Sequence, residues 1–256
     1  MDFITVRHTE RVTTITLNRP QVMNAINPAM HAELQSAFDA FAADDGRFIA
    51  VVTGAGERAF CAGSDLKATD RHGDYPKNGY AGLIERFDLN KPVIAAVNGL
   101  ALGGGFEIAL ACDLIIAADT ASFGLPEPLV GAVALGGGLH RLSRQIGLKP
   151  AMGLILTSRR VSAQEGLRLG FVNEVVPADE LGATVERWCG EILRGSPMSI
   201  RASKETVMLG LAEPDVAHAM RRQGEYPAFA AWRVSEDLKE GSLAFAEKRP
   251  PAWKGR

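Results

Sequence analysis

The fold of this chain is decided by the segment Asn98-Gly99-Leu100-Ala101-Leu102-Gly103-Gly104-Gly105-Phe106-Glu107. It follows the apolar stretch 93–97, which predicts a buried strand, and its three consecutive glycines stand where a helix is expected to begin. Glycine has no Cβ, so the backbone at 103–105 can approach a second segment or a ligand closely. The first N–H groups of a helix have no intrahelical acceptor and lie at the positive end of the helix dipole. The glycines therefore indicate either close packing of a helix on a strand or a site that presents free backbone N–H groups.

The rest of the chain alternates strand and helix patterns, which predicts an α/β fold through about residue 190. Asn27-Pro28 predicts the start of a helix, because a capping residue precedes a proline at the first helical position. A polar segment over 70–79 predicts a mobile loop, and 196–249 carries helix signals only. We therefore expect a core over 1–195 and a helical region over 196–256. Strands are predicted at 3–7, 12–17, 48–53, 93–97, 114–117 and 171–175, the first two as a hairpin.

The composition excludes several classes of protein. Of the 256 residues, 46% are hydrophobic and 23% charged, which is typical of a globular chain and not of a disordered one. The net charge of -2, from 28 Lys+Arg and 30 Asp+Glu, argues against a nucleic-acid binder. Three distant cysteines indicate reduced thiols, and neither a targeting segment nor an apolar run of membrane-spanning length is evident. We expect a soluble, cytoplasmic protein with no nucleic-acid or membrane partner.

Several familiar catalytic motifs are absent from the sequence: the G-x-S-x-G nucleophile elbow, H-E-x-x-H and the GxxxxGK(S/T) phosphate loop. The five histidines are scattered, so no metal site is expected. Residues 54–59 match the G-x-G-x-x-A pattern of a dinucleotide site, but Gly63 follows too early for the long helix that such a site requires. A nicotinamide-dependent oxidoreductase therefore remains an alternative that rests on this one match.

A second glycine-containing segment, 59–66, also follows an apolar strand. One backbone N–H group from this segment and one from 98–107 would form an oxyanion hole, which is a pair of donors aimed at the carbonyl oxygen of an ester or thioester. The spacing of small residues in both segments therefore indicates acyl chemistry.

Two glutamates are candidates for acid–base chemistry next to that hole. Glu107 lies on the first turn of the predicted helix, three residues after Gly104, where a glutamate also commonly caps a helix. Glu127 lies between Pro126 and Pro128 in an apolar loop, where we expect a raised pKa that suits proton transfer. The alternative for Glu127 is an ordinary exposed loop residue, since most glutamates in proteins are exposed.

These segments resemble the crotonase superfamily, the enoyl-CoA hydratases and isomerases, over essentially the whole chain. Each motif alone is weak, but their combination is specific. The resemblance implies an α/β spiral of ββα units with a C-terminal helical trimerisation region, and a homo-oligomer that is a trimer or a dimer of trimers. The matching motifs lie at 16–20, 24–25, 59–66, 91–99, 103–105, 111–113, 123–124, 126–127, 162–165, 170 and 245–249.

The resemblance also implies an acyl-CoA thioester substrate and no cofactor besides the CoA that the substrate carries. Hydratases of the superfamily have glutamate at both acidic positions, as this chain does, whereas isomerases often keep only one. The expected activity is therefore enoyl-CoA hydratase, in which Glu107 takes a proton from water and Glu127 protonates the α-carbon, although the sequence leaves this division open. The alternatives are an enoyl-CoA double-bond isomerase or a specialised acyl-CoA dehydratase on the same scaffold, and an RNA-binding member of the superfamily.

Further site residues are implied by motif position. The backbone N–H groups of Ser64 and Gly104 would form the oxyanion hole. The acyl part of the substrate would contact Ala62, Asp65, Leu66, Gly103, Pro126 and Leu135, and the CoA part would contact Arg19, Phe245 and Lys248.

The chain departs from the family pattern at two places. Val22 and Met23 stand where the family often has a basic residue, which puts one contact to the CoA phosphates in doubt. Leu135 stands where a glycine N–H usually helps to hold the water, and we expect its side chain to narrow or redirect the pocket. The departure at Leu135 therefore predicts a non-standard acyl specificity, and the segment 68–79 is expected to line the acyl channel as well.

Overall fold

Two β-sheets form the centre of the fold in a computed structural model that describes residues 1–68 and 75–256. The larger sheet contains, in spatial order, β1 (Ile4–Thr9), β2 (Val12–Leu17), β3 (Ile49–Gly54), β5 (Val93–Val97), β7 (Leu114–Ala118) and β10 (Glu174–Val176). The smaller sheet contains β4 (Ala59–Cys61), β6 (Leu100–Leu102), β8 (Ser122–Gly124) and β9 (Val161–Ser162).

Consecutive strands pass repeatedly from the larger sheet to the smaller one. The pairs β3–β4, β5–β6 and β7–β8 each have their first strand in the larger sheet and their second strand in the smaller sheet, and each is followed by an α- or 3₁₀-helix. This repetition confirms the predicted α/β spiral of ββα units. The predicted N-terminal hairpin is confirmed as well, since β1 and β2 pair antiparallel while every other neighbouring pair in the larger sheet is parallel.

The helices cover the sheets and form the C-terminal tail. The first helix begins as predicted, because the Asn27 side chain accepts the N–H of Met30 at 2.8 Å and Pro28 occupies the first turn. Beyond residue 196 the ordered elements are all helical, as predicted, and no helix of the described chain is long and apolar enough to cross a membrane. The helices are α1 (Pro28–Ala43), α2 (Gly104–Ala111), α3 (Gly138–Ile146), α4 (Leu148–Thr157), α5 (Ala163–Leu169), α6 (Leu181–Leu193), α7 (Pro197–Gly210), α8 (Val216–Arg222), α9 (Pro227–Arg233) and α10 (Glu236–Glu247).

The central strands β3, β5 and β7 are largely apolar because both of their faces are buried. In β3, Ala50 and Val52 pack into the main core, whereas Ile49 and Val51 pack into a second core. This alternation follows from the two-residue repeat of a strand. The second core is closed by α6, so β3 is covered on both sides and reads as one continuous apolar run.

One predicted strand differs from the structure. The strand expected at 171–175 begins only at Glu174, because Phe171 and Val172 donate their N–H groups to the carbonyl of Gly166 and complete the end of α5. The mobile loop predicted over 70–79, and the acyl channel expected from 68–79, fall in large part on residues 69–74, outside the described residues.

Residues 54–59 lead from β3 into β4 and not into a helix, so they lack the strand–turn–helix geometry of a dinucleotide site.

Candidate active site

Two backbone segments meet at the start of α2. A Cβ placed on Gly63 would lie 2.9 Å from the carbonyl oxygen of Leu102 and 3.2 Å from the amide nitrogen of Gly104, and Gly63 itself has φ +90°. A Cβ on Gly105 would overlap the carbonyl oxygen of Cys61. Both glycines are therefore required by close contact between the two segments, and Gly63 is required by its backbone conformation as well. The packing explanation for the glycines and the ligand-site explanation are thus compatible.

The two N–H groups expected to form the oxyanion hole lie in these segments. Gly104 is the first residue of α2, and within the described chain neither its N–H nor that of Ser64 donates a hydrogen bond to a protein acceptor. Ser64 is exposed, so a ligand can reach this position. The arrangement is able to hold a carbonyl oxygen between two donors, one of which is assisted by the dipole of α2.

The segment that carries Ser64 is held in place by the loop after β2. Met23 accepts the N–H of Ala62 at 3.0 Å, and Ile26 both donates to Gly63 and accepts from Asp65. A further support is the fully buried Asn24, whose side-chain amide donates to the carbonyls of residues 55 and 59 at 3.0 and 2.8 Å. The polar groups of this loop are used to fix the backbone around the hole.

Glu107 lies on the first turn of α2 and is buried, with 4% of its surface exposed. Its Oε1 accepts the N–H of Gly138 at 2.9 Å, and the backbone of Gly136 donates to the same carboxylate. A Cβ on Gly136 would overlap this carboxylate. The glycines after Glu127 in the sequence therefore make room for Glu107, and the side chain does not serve as a helix cap.

Glu127 reaches the same region from the opposite segment. It begins a 3₁₀-helix over Glu127–Val130, and a Cβ on Gly103 would lie 3.0 Å from its Oε1. Its Oε2 is buried and has no hydrogen-bond partner among the described residues. The exposed-loop alternative for Glu127 is therefore wrong, because the carboxylate is directed at the residue that precedes α2.

Both glutamates have raised pKa values, and burial is the main cause for each. Burial raises the pKa of Glu107 to about 7, the negative charge of Glu127 adds to this rise, and the two backbone N–H groups and the nearby Arg141 oppose it. Burial also raises the pKa of Glu127. Burial thus favours the protonated form of each carboxylate, and a raised pKa suits a group that transfers protons.

Arg19 and Asp65, which were expected to bind CoA and the acyl group, form an ion pair with each other. Arg19 Nη2 lies 3.0 Å from Asp65 Oδ2, and Arg19 Nη1 donates to the carbonyl of Ala25 at 2.6 Å. Both side chains are largely buried, at 13% and 16% exposure. The guanidinium group is therefore engaged in supporting the loop next to the hole, and CoA would have to compete with an internal carboxylate for it.

Leu135 is not brought to the carboxylates. Its N–H donates to the carbonyl of Val133 at 2.9 Å, so it is not free to hold a water, and its side chain is 83% exposed. The neighbouring Gly136 contacts Glu107 instead. The turn directs residue 136 at the acid, and the expectation that the exposed Leu135 side chain narrows the pocket stays a prediction.

The other predicted residues fall into two groups. The first group lies next to the residues of the site in the chain: Ala62 near Ser64, Gly103 before Gly104, and Pro126 before Glu127. Leu66, two residues after Ser64, is exposed. Phe245 lies near the end of α10 with 88% exposure, and Lys248, just after that helix, is exposed too. No hydrogen bond or ion pair among the described residues links this pair to the site, so their expected role in CoA binding remains a prediction.

One side chain next to the hole was missed by the sequence reasoning. Tyr80 is buried, accepts a hydrogen bond from Ser64 Oγ at 3.3 Å, and lies against Gly104. It follows Gly79 in a segment without strand or helix periodicity, so no pattern in the sequence connects it with residues 64 and 104.

Comparison with known proteins gives a consistent result. The family model described as Enoyl-CoA hydratase/isomerase matches residues 7–256. The carnitinyl-CoA dehydratase of Proteus mirabilis (strain HI4320) is 44% identical over 253 residues, which cover 96% of this chain and 95% of that protein. The carnitinyl-CoA dehydratase of Escherichia coli (strain K12) is 44% identical over 248 residues, which cover 94% of each chain.

Solved structures give the same picture of the fold. The enoyl-CoA hydratase from Mycobacterium tuberculosis H37Rv superposes with a TM-score of 0.92 at 36% identity, and the enoyl-CoA hydratase from Bacillus anthracis with a TM-score of 0.90 at 36% identity. Each comparison covers 100% of both chains.

The raised pKa of Glu107 predicts a pH-dependent stability. Below pH 4.5 the residue is protonated in both states; between pH 4.5 and about 7 the folded chain retains a proton that the unfolded chain releases, so stability falls as pH rises. A shift from 4.5 to about 7 corresponds to about 3 kcal/mol. Glu107→Gln has no carboxyl group to ionise at this position, so it does not lose this stability as the pH rises. Its free energy of unfolding, relative to that of the unsubstituted protein, should therefore increase by up to about 3 kcal/mol between pH 4.5 and pH 8.

Urea unfolding at both pH values measures this difference. Glu57→Gln, the same chemical change on an exposed loop, serves as the control and should retain the pH dependence of the unsubstituted protein. A relative stability of Glu107→Gln that is equal at the two pH values would contradict the prediction.

Proposed function

The chain belongs to the enoyl-CoA hydratase/isomerase family, the crotonase superfamily, and on that basis we propose that it catalyses the reversible addition of water to the α,β double bond of a 2-enoyl-CoA thioester. The observation that carries the proposal is the pair of glutamates with raised pKa values, Glu107 and Glu127, beside the N-terminus of α2. Acid–base groups next to a pair of free N–H donors are what this chemistry needs. No cofactor is required besides the CoA of the substrate.

In the proposed reaction the N–H groups of Ser64 and Gly104 donate to the thioester oxygen. As water attacks the β-carbon, the electron pair of the double bond moves towards the carbonyl, and the resulting enolate oxygen carries negative charge that the two donors stabilise. The attacking oxygen remains on the β-carbon as a hydroxyl group, and the α-carbon receives a proton. The carboxylate pair thus accepts one proton and releases one, so it is restored after each turnover.

The surroundings of the two carboxylates support a division of their roles. Glu107 accepts N–H groups from Gly136 and Gly138, and such bonds favour the ionised form of a carboxylate. We therefore assign Glu107 as the base that takes a proton from water. The buried Oε2 of Glu127 has no partner in the described chain and is able to contact the substrate, so Glu127 is assigned to protonate the α-carbon.

Substituting either glutamate by glutamine is expected to lower kcat for hydration of crotonyl-CoA by about 10²–10⁴-fold, the usual contribution of a general acid or base. KM should change little, because the thioester contacts are unaffected. Steady-state kinetics of Glu107→Gln and Glu127→Gln provide the measurement, and the exposed Glu57→Gln should retain the activity of the unsubstituted protein. Isomerisation of a 3-enoyl-CoA that is retained by Glu107→Gln, with no hydration of crotonyl-CoA by the unsubstituted protein, would instead support a one-glutamate isomerase.

A second candidate function is dehydration of carnitinyl-CoA or a similar 3-hydroxyacyl-CoA. It is favoured by the carnitinyl-CoA dehydratases that share 44% of their residues with this chain over nearly its full length. The chemistry is the proposed hydration in reverse: Glu127 removes the α-proton and Glu107 protonates the departing hydroxyl. The two candidates therefore use the same residues and differ in the acyl group and in the favoured direction.

Matched substrates separate the candidates. Carnitinyl-CoA and 3-hydroxybutanoyl-CoA both carry a β-hydroxyl, but only the carnitinyl group carries a trimethylammonium at the γ-carbon. A dehydratase specific for the charged group should show kcat/KM at least about tenfold higher for carnitinyl-CoA, equivalent to about 1.4 kcal/mol of preferential transition-state binding. Equal values, or a preference for 3-hydroxybutanoyl-CoA, would leave the simple hydratase as the function.

The proposal includes a homo-oligomer, a trimer or a dimer of trimers. Its support is a set of large apolar side chains that stay exposed on the helical tail of a single chain, and the second copy of this chain is the partner that would cover them. Sedimentation equilibrium should give three or six times the chain mass of 27.4 kDa, and a monomer would overturn this part of the proposal. The exposed residues are Val207, Met208, Leu211, Val216, Met220, Val234, Leu243 and Phe245.

A further inference from the structure

Tyr80 contacts both residues that supply the N–H groups of the hole. The residue is 3% exposed, and its hydroxyl oxygen accepts a hydrogen bond from Ser64 Oγ at 3.3 Å. A Cβ on Gly104 would overlap the hydroxyl end of the Tyr80 ring, so the phenol lies directly against the first residue of α2.

The contact between the Tyr80 and Ser64 hydroxyls leaves one proton unused. Each hydroxyl has one proton and can also accept, and only one of the two protons lies between the two oxygens. With Ser64 as the donor, the Tyr80 hydroxyl has no other acceptor among the described residues, and a buried donor without an acceptor is costly. Burial raises the pKa of Tyr80 well above its usual value, so the group keeps its proton. An oxygen atom bound in the hole would provide the missing acceptor.

The turn that carries Tyr80 is strained. Gly79, Ala81 and Gly82 have φ values of +73°, +57° and +61°, so a non-glycine residue occupies the left-handed region. This conformation costs an L-residue about 1–2 kcal/mol. Strain of this kind persists where the surroundings over-determine it, and it is frequent at functional sites.

His31 on α1 holds the turn in this conformation. Its Nδ1 accepts the N–H of Ala81 at 2.9 Å, and its ring packs edge-on against Tyr80 with the centroids 4.6 Å apart. Burial lowers the pKa of His31 to about 4, so the ring is neutral and Nδ1 remains an acceptor at neutral pH. Gln35, one turn further along α1, exchanges hydrogen bonds of 2.8 and 3.1 Å with Asn78 and fixes the start of the turn.

We propose that the Tyr80 hydroxyl is a third hydrogen-bond donor to the thioester oxygen, beside the N–H groups of Ser64 and Gly104, and that His31 is the positioning residue that keeps it there. The inference rests on the proposed function, because it requires a thioester in the hole. A third donor adds to the stabilisation of the enolate, which bears more charge on this oxygen than the bound substrate does.

Tyr80→Phe removes this donor and leaves the ring in place. We expect kcat for crotonyl-CoA hydration to fall by about 10²-fold, at the lower end of the losses caused by deletion of one oxyanion donor, with KM nearly unchanged. Tyr226→Phe is the matched control, since it deletes another buried phenol hydroxyl, at the start of α9. It should leave kcat unchanged. A kcat of Tyr80→Phe within about threefold of the unsubstituted protein would overturn the inference.

A spectroscopic measurement tests the hydrogen bond without turnover. Butanoyl-CoA labelled with ¹³C at the carbonyl is saturated and cannot be hydrated, and its bound C=O stretch reports how strongly the oxygen is hydrogen-bonded. The frequency of the C=O stretch should be lower in the unsubstituted protein and in Tyr226→Phe than in Tyr80→Phe. Equal frequencies would overturn the role of Tyr80 alone, whereas failure of butanoyl-CoA to bind the unsubstituted protein would overturn the proposed function together with this inference.

Substitution of His31 tests the positioning role. His31→Asn keeps an acceptor near the N–H of Ala81 and should retain most of kcat, whereas His31→Leu removes the acceptor and should lower kcat about as much as Tyr80→Phe. Because both changes affect one donor, the His31→Leu/Tyr80→Phe double variant should be no slower than Tyr80→Phe. Additive losses, or full activity of His31→Leu, would contradict the assigned role.

Discussion

The structure depends above all on the contact between two backbone segments, 61–64 and 102–105. A side chain on Gly105 would overlap the Cys61 carbonyl, and one on Gly63 would approach the Leu102 carbonyl to 2.9 Å. Only glycine permits this contact, and the contact brings Gly63, which precedes Ser64, close to the amide nitrogen of Gly104. The spiral of ββα units positions both segments, because each one begins at the end of a strand of the smaller sheet, β4 or β6.

The acidic groups depend on the same contact. Glu107 lies on the helix that begins at Gly104, and Glu127 approaches Gly103, so both carboxylates are positioned relative to the hole by the same three glycines. Their burial disfavours the charged forms, and it is tolerated because Gly136 and Gly138 donate backbone N–H groups to Glu107. A second run of glycines thus allows a backbone turn to donate hydrogen bonds to a carboxylate that is largely buried.

Much of this arrangement was predictable, and the exceptions share a cause. The glycines, the helix start at Asn27, the two glutamates and the helical tail follow from local spacing. Arg19 was expected to face CoA, but it pairs with Asp65, which is 46 positions away. Leu135 was expected to face the acids, but its N–H is used within its own turn. A sequence pattern indicates which side chain carries a charge or a donor, but not which distant group uses it.

The sequence by itself determined the α/β class, the family resemblance, the acidic pair and the places where backbone must come close to backbone, because glycine spacing, helix caps and apolar runs are local properties. The tertiary structure alone decided that Tyr80 lies against Ser64 and Gly104 and that His31 bonds to the turn that carries it. That contact rests on a left-handed alanine between two left-handed glycines and on a hydrogen bond spanning 50 residues. The fold stabilises this strained turn through contacts with α1, and no local pattern encodes a conformation that the isolated segment would avoid.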